Sequence, residues 1–177
     1  MLTNVEKELK NFAKYVVTKA RMNLRSSDKN VSGKLEKSLN SDVKVSKNSF
    51  QLTFMMENYG VFQDKGVRGK SSSAKAPNSP FKFGSGKSSG GGEGLTKSIN
   101  KWVKRRRFQF RDRKSGRFLS YDSTAYLISR SIWNKGIAPS LFFTKPFEKA
   151  FKNIDKDLLK AYKLDIEKLM ETSINNK

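Results

Sequence analysis

The pattern closest to a known catalytic motif is a run of small residues around one lysine, Gly84-Ser85-Gly86-Lys87-Ser88. It matches the last part of the P-loop, in which backbone N–H groups and a lysine hold nucleotide phosphates. The complete motif has another glycine five residues before Gly86, but Phe81 occupies that position. The preceding segment contains Pro77 and Pro80, which do not belong in a buried strand. We therefore interpret this run as a loop that binds no nucleotide.

Other kinds of catalysis lack their usual residues. The chain has no His and no Cys, which removes the commonest general base, the commonest metal ligand and any thiolate nucleophile. Asp155 and Asp157 lie two positions apart on a predicted helix, where their side chains point to different faces. Glu57 and Asp64 flank an apolar turn and have no obvious third carboxylate beside them. The sequence predicts no catalytic residues, no metal site and no cofactor, and hence a protein that is not an enzyme.

The sharpest polar feature is a basic segment between residues 101 and 117. It holds nine Lys and Arg residues against one acid, Asp112; Phe108 and Phe110 are interleaved with them, and Phe118 follows directly. In nucleic-acid-binding proteins, arginines pair with phosphates and aromatic rings stack on bases. Alternatively, the phenylalanines form a core and the basic side chains are solvated or contact an acidic protein. The candidate contacts for DNA or for an adjoining protein ring are Lys101, Lys104, Arg105, Arg106, Arg107, Arg111, Arg113, Lys114 and Arg117.

The whole chain is strongly basic. Its 177 residues include 37 Lys and Arg against 16 Asp and Glu, a net charge of +21. Nucleic acid, an anionic membrane surface or an acidic protein would each complement this charge. Alternatively, the lysines need no partner, because most of the basic residues are Lys on amphipathic helices among Asn and Ser, as AT-rich genomes tend to produce. No apolar run approaches the ~20 residues of a membrane span, so we expect no membrane partner.

Hydrophobic periodicity predicts a long helix near each end of the chain. Apolar residues recur at three- and four-residue steps from Leu2 to Ala20, and Thr144-Lys145-Pro146 begins the last helix. Alternation in Val43–Val45 and Phe50–Met56 predicts a β-hairpin that turns at Lys47-Asn48. The predicted fold is α+β: one domain over residues 1–177, with the long N-terminal and C-terminal helices packed on a small antiparallel sheet. The apolar side of the last helix is predicted to contain Phe147, Phe151, Ile154, Leu158, Ala161 and Leu169.

A long insertion interrupts this plan. Residues 68–94 contain seven Gly, seven Ser and two Pro, a composition that predicts a flexible arm. Residues 95–140 resume regular patterning and predict a basic insertion of helix, hairpin and helix, in which Lys114-Ser115-Gly116-Arg117 is the hairpin turn. The second of these helices is predicted to begin at the cap Asp122-Ser123.

Three stretches of the chain resemble motifs of one protein family. Val31 to Leu39, Val-Ser-Gly-Lys-Leu-Glu-Lys-Ser-Leu, resembles a Thr-Gly-x-Leu-x-x-Ser-Ile signature that follows a first helix. Tyr59 to Val67, Tyr-Gly-Val-Phe-Gln-Asp-Lys-Gly-Val, is similar to Tyr-Ala-x-Phe-Val-Glu-x-Gly-Thr. Lys145 to Phe151, Lys-Pro-Phe-Glu-Lys-Ala-Phe, is similar to the Arg-Pro-Phe-x-x-Pro-Ala that begins a last helix. All three motifs belong to the tail-completion, or head–tail connector, proteins of tailed bacteriophages, and their order and spacing agree if residues 68–140 are an insertion.

This resemblance implies a structural protein of the virion, made in the bacterial host cytoplasm. Identical subunits would form a ring at the head–tail junction, contacting the portal or adjoining neck and tail rings, with genomic DNA passing non-specifically through the lumen. The residues that carry the resemblance are Ser32, Gly33, Leu35, Ser38, Tyr59, Phe62, Asp64, Gly66, Pro146 and Phe147. The alternative is a stand-alone basic nucleic-acid-binding protein, which would explain the charge but not the three motifs.

Overall fold

The computed structural model describes residues 2–27, 32–46, 49–84 and 94–175. Residue contacts divide the chain into two compact units, in place of the single domain predicted. The first contains Met1–Gly60 and Leu141–Lys177, and the second contains Val61–Ser140. In chain order the elements are α1 (Thr3–Arg25), α2 (Lys34–Ser38), β1 (Asn40–Val45), β2 (Phe50–Met55), α3 (Gly60–Lys65), β3 (Val67–Arg68), α4 (Leu95–Arg106), α5 (Tyr121–Lys135), β4 (Gly136–Ile137) and α6 (Thr144–Asn175).

Two buried clusters hold α1 in the first unit. Near its N-terminus, Val5 and Leu9 pack against Ala161 of α6. Near its C-terminus, α1 packs against Leu35 of α2 and against Phe142, which precedes α6. Because its buried residues recur every three or four positions, α1 buries one face along most of its length.

The sheet of the first unit is an antiparallel hairpin. Its register runs from Asn40 opposite Met55 to Val45 opposite Phe50, and the predicted turn at residues 47–48 lies outside the described residues. The Phe54 ring lies 6.4 Å from that of Phe12 on α1, between ring centroids. The predicted α+β fold is therefore confirmed, with both long helices and a small antiparallel sheet.

The residues predicted on the apolar side of α6 differ in their burial. Ile154 and Ala161 are buried, but Phe151 is 53% exposed and Leu169 is 49% exposed. The Phe151 ring stacks on the Phe147 ring, with 5.5 Å between the ring centroids. Thr3, the first residue of α1, bonds to Asp165, so Leu169 lies on a part of α6 that extends beyond the end of α1.

The second unit contains two packed helices and a very short sheet. Val103 of α4 and Thr124 and Ala125 of α5 are buried. Strand β3 pairs antiparallel with β4, which follows α5 directly. The sequence did not predict α3, β3 or β4, because each strand spans two residues and leaves no alternation to detect. Among the described residues, no helix is both long enough and apolar enough to cross a membrane.

The flexible arm predicted over residues 68–94 does not describe residues 68–84. The Lys70 N–H donates to the Trp133 carbonyl at 2.8 Å, and the Arg68 N–H donates to the Phe81 carbonyl at 2.8 Å. A Cβ at Gly69 would overlap the main chain of Asn134. Glycine is therefore needed at this position because the two main-chain segments approach closely, and not because the segment is flexible. Residues 85–93, which include most of the P-loop-like run, lie outside the described residues.

Candidate functional site

The basic segment begins at the C-terminal turn of α4. Arg107 adopts the left-handed conformation that ends many helices, with φ at 52°. The Phe108 N–H then donates to the Val103 carbonyl at 3.0 Å, while the fully buried Val103 side chain anchors the helix. Lys104, Arg105 and Arg106 lie in the last turn of α4. Cations are favoured in a last turn because its free carbonyls carry partial negative charge.

A tight turn follows and brings two short extended segments together. Arg111 and Phe118 form an antiparallel bridge, and the Leu119 N–H donates to the Phe110 carbonyl at 2.8 Å. The Asp112 carboxylate closes the turn by accepting hydrogen bonds from the Ser115 N–H at 2.7 Å, the Ser115 hydroxyl and the Lys114 N–H. These bonds, the Ser115 N–H first, hold the pKa of Asp112 below its usual value. The one acid of the segment is thus ionised and bonded within its own turn.

The hairpin is fixed to α5 as well as to α4. The Phe110 N–H donates to the Thr124 hydroxyl at 3.3 Å, and Thr124 is fully buried. The N-cap of helix α5 is Ser120, two residues before the predicted cap Asp122-Ser123. The Ser120 hydroxyl accepts a hydrogen bond from the Ser123 N–H at 3.1 Å. These contacts join the hairpin to a buried layer of the second unit.

All nine predicted basic contact residues lie on the surface of this one unit. We call the surface formed by residues 101–118 the basic hairpin. Its basic residues, each exposed, are Lys101, Lys104, Arg105, Arg106, Arg107, Arg111, Arg113, Lys114 and Arg117. The Arg111 guanidinium lies 4.6 Å from the centre of the Phe118 ring, a cation–π geometry.

Aromatic rings are exposed between these charges. Phe118 is 61% exposed, Phe108 41% and Phe110 38%. Phe108 and Phe110 contact each other edge to face at 5.2 Å, and Trp102 of α4 lies 6.2 Å from Phe108. The interpretation in which these phenylalanines form a core is therefore wrong. Sequence patterning did not associate Trp102 with them, because its helical spacing resembles that of a core residue.

The family-like residues of the first unit are mainly structural. Leu35 is buried, and the Ser38 hydroxyl donates to the Leu35 carbonyl at 2.9 Å while accepting from the Glu57 N–H at 3.0 Å. Burial and the nearby Glu57 carboxylate raise the pKa of Tyr59. At the start of the unit's last helix, Pro146 is buried and Phe147 packs on Phe12 at 5.8 Å. Of the two others, Gly33 is left-handed before α2 and Ser32 is exposed.

The remaining family-like residues lie in the second unit. Phe62 packs edge to face on Phe81 at 4.6 Å, and Asp64 is only 4% exposed. Gly66 has φ at 72°, and a Cβ there would lie 2.6 Å from the Ile137 carbonyl oxygen. Within each unit, these residues therefore contribute mainly to packing and chain geometry, around α2 and the start of α6 in the first unit and around β3 in the second.

The described part of the chain holds no group of three or more His, Cys, Asp or Glu residues arranged to bind a metal ion. In comparisons with known proteins, no family model, curated protein or solved structure matches the chain.

Proposed function

We propose that the chain is a non-catalytic structural subunit of a ring at the head–tail junction of a tailed bacteriophage. The observation that supports this most directly is the division of the chain at Gly60 and Leu141. The resemblance required an insertion over residues 68–140, and the interval 61–140 forms a compact unit of its own. The first and third resembling stretches lie in the other unit, and most of the second stretch, from residue 61 onward, lies in the same unit as the insertion.

Contacts from the first resembling stretch to the residues just before the second add support. Ser38 belongs to the first stretch and bonds the main chain at Glu57, two residues before the second. Lys34 and Glu57 form an ion pair at 3.3 Å across the same connection. Residues of this motif stabilise the fold of the first unit, as expected for motif residues in a structural subunit.

The surface of α6 suits an assembly of identical subunits. Leu159 is 76% exposed, Met170 61% and Tyr162 51%. Exposed apolar side chains of this size are typical of surfaces that another chain covers. In the proposed ring the first unit forms the wall, neighbouring copies and the portal or adjoining rings are the partners, and the basic second unit faces DNA or an acidic neighbour.

Electron cryomicroscopy of phage particles that contain this chain tests the proposal. We expect a closed ring of identical copies where the tail joins the head. The purified chain can still be monomeric if the ring forms only on the portal, so the particle is the decisive sample. Single copies, or copies located away from the junction, would contradict the proposal.

A stand-alone basic nucleic-acid-binding protein is the second candidate, and the basic hairpin favours it. Such a protein would bind nucleic acid tightly at physiological salt and would have no role in particle assembly. A ring subunit would instead contact passing DNA weakly, and its loss would leave heads without tails. Particle assembly in the absence of the chain therefore distinguishes the two candidates.

A further inference from the structure

The positive charge of the protein is concentrated in its second unit. Residues 61–140 contain 18 Lys and Arg against 4 Asp and Glu, a net charge of +14. The other 97 residues contain 19 against 12, a net charge of +7. Both units come from one gene, so a bias in base composition does not explain the difference. The charge of the second unit calls for a specific acidic partner.

Arginine is even more concentrated than charge in general. Six of the ten arginines lie between residues 105 and 117. A guanidinium presents a planar set of donors that fits phosphate in pairs of hydrogen bonds, and it stacks on flat rings. Helix α4 and the turn closed by Asp112 hold these groups on a folded surface, which lowers the entropy lost when a partner binds.

Exposed rings are the second feature of this surface. Phe118 is 61% exposed although Arg111 lies over its ring, and Phe108 and Phe110 form an exposed pair beside it in sequence. Solvation of the charges, or repulsion between neighbouring chains, does not explain why three phenylalanines are exposed on this surface. Flat apolar rings among phosphate-binding groups match a ligand that alternates phosphates with flat apolar faces.

We propose that the basic hairpin binds single-stranded nucleic acid, with phosphates on its arginines and lysines and unpaired bases stacked on Phe108, Phe110 and Phe118. A duplex keeps its base faces stacked internally, so it would engage the charges but not the rings. An acidic polypeptide would likewise engage the charges without supplying flat faces in register with them. This inference concerns the free chain and does not depend on its assembly into a ring.

Fluorescence anisotropy of the full-length chain with three labelled probes tests the inference. The probes are a 20-nucleotide oligothymidine, a 20-base-pair duplex of mixed sequence, and polyglutamate of similar charge. We expect the single strand to bind at least roughly tenfold more tightly than the duplex at equal salt, because only unpaired bases gain stacking. Equal or tighter duplex binding, or binding of polyglutamate alone, would overturn the inference.

Two variants separate stacking from charge. Phe118→Ala should weaken single-strand binding by roughly tenfold and leave duplex binding unchanged. Replacing Arg105, Arg113 and Arg117 with Gln should weaken both and should lower the slope of log affinity against log salt by about 2 for the single strand, at ~0.7 per lost phosphate contact. Arg111 is kept because it packs on Phe118.

Matched controls lie in the first unit. Phe50→Ala removes a ring that is 50% exposed, and replacing Lys149, Lys152 and Lys156 with Gln removes the same charge from exposed positions on α6. We expect single-strand binding to change less than twofold in the first control, and the salt slope to stay within about 0.5 in the second. If the controls weaken binding as much as the hairpin variants do, the chain binds through its general charge and the inference is wrong.

Discussion

The Asp165 carboxylate on α6 accepts hydrogen bonds from the backbone N–H groups of Asn4 and Val5 in the first turn of α1, each at 3.0 Å. Thr3 and the Asn4 side chain also donate to it. These contacts join residues about 160 positions apart in sequence. The buried carboxylate caps the N-terminus of α1, whose own N-cap residue, Leu2, makes no side-chain hydrogen bond to the helix. Burial is the largest influence and raises the pKa of Asp165, but these hydrogen bonds together outweigh it, so the pKa lies below its usual value.

Asp165→Asn should destabilise the first unit. The variant loses the negative charge at the helix N-terminus and places an amide N–H₂ against backbone donors, so we expect a loss of about 1–3 kcal/mol in the free energy of unfolding at pH 7. Denaturation followed by circular dichroism at 222 nm measures this loss. Asp157→Asn, an exposed change on the same helix, is the matched control and should change stability by less than about 0.5 kcal/mol.

The same contact predicts a pH dependence. Because the folded pKa of Asp165 is lowered, its contribution is fully present above the pKa of an unfolded Asp, ~3.9, and is lost as the pH falls through the lower folded value. The stability difference between wild type and Asp165→Asn should therefore be constant from pH 7 to about pH 5 and shrink below about pH 4. A difference that persists unchanged at pH 2 would show that the carboxylate charge is not responsible.

Two phenylalanines near the start of α6 should respond oppositely to a new charge. Phe142 is 2% exposed, so Phe142→Asp would bury an unpaired carboxylate and should abolish soluble, folded protein. Phe151 is half-exposed, so Phe151→Asp should express in soluble form and lose only about 1 kcal/mol of stability. Soluble yield and thermal melting compare them. Insolubility of both variants would mean that this part of α6 is covered in the folded chain.

Gly66→Ala should destabilise the second unit more than the same change at Gly116. Both glycines have positive φ, 72° and 67°, but only Gly66 approaches a carbonyl, that of Ile137. We expect losses of about 3 kcal/mol for Gly66→Ala and about 1 kcal/mol for Gly116→Ala. Tryptophan fluorescence is the measurement, because both tryptophans of the chain, Trp102 and Trp133, lie in this unit. Equal losses of stability in the two variants would mean that the strain of positive φ alone is responsible and that the close contact at Gly66 contributes nothing.

Replacing Arg105, Arg106 and Arg107 with Ser tests the proposed assembly role. If the chain is a ring subunit, particles carrying the variant should be formed less often or should lose DNA, because the cluster faces DNA or acidic residues of an adjoining ring. Counting tailed and DNA-filled particles by electron microscopy measures this. Normal particles, together with tight binding of a specific sequence by the wild-type chain, would favour the stand-alone nucleic-acid-binding protein.

Sequence periodicity predicted those elements whose stability depends on one continuous apolar face. Helix α1 and the β1–β2 hairpin are of this kind: the buried positions of α1 recur every three or four residues, and half-buried residues alternate with exposed ones in the strands. The same reasoning failed for residues 68–84, where glycine and serine composition predicted a flexible arm. Their order depends on main-chain bonds to residues near 134, more than 60 positions away, and such pairings leave no local pattern.

The sequence predicted the basic segment of the candidate site but not the contacts between its residues. Composition located the basic segment, because a charge excess is countable without a structure. The pairing of Arg111 with Phe118 depends on the register of a turn, which the Asp112 carboxylate sets. Asp165 left one signal that was not used: it lies four residues after the buried Ala161, and an acid on the buried face of a helix needs a hydrogen-bonding partner.

The second unit also begins and ends at one place. The Ser140 N–H and hydroxyl both donate to the Gln63 carbonyl, at 3.0 and 2.7 Å, so the chain leaves this unit beside the point where it entered. A segment with adjacent ends behaves as a cassette: it can be gained, lost or exchanged without moving the polypeptide on either side. A chain that joins Gly60 to Leu141 through a short glycine linker should therefore retain the helices and hairpin of the shorter protein. Residues 61–140, grafted into a surface loop of an unrelated host, should in turn carry their basic surface with them.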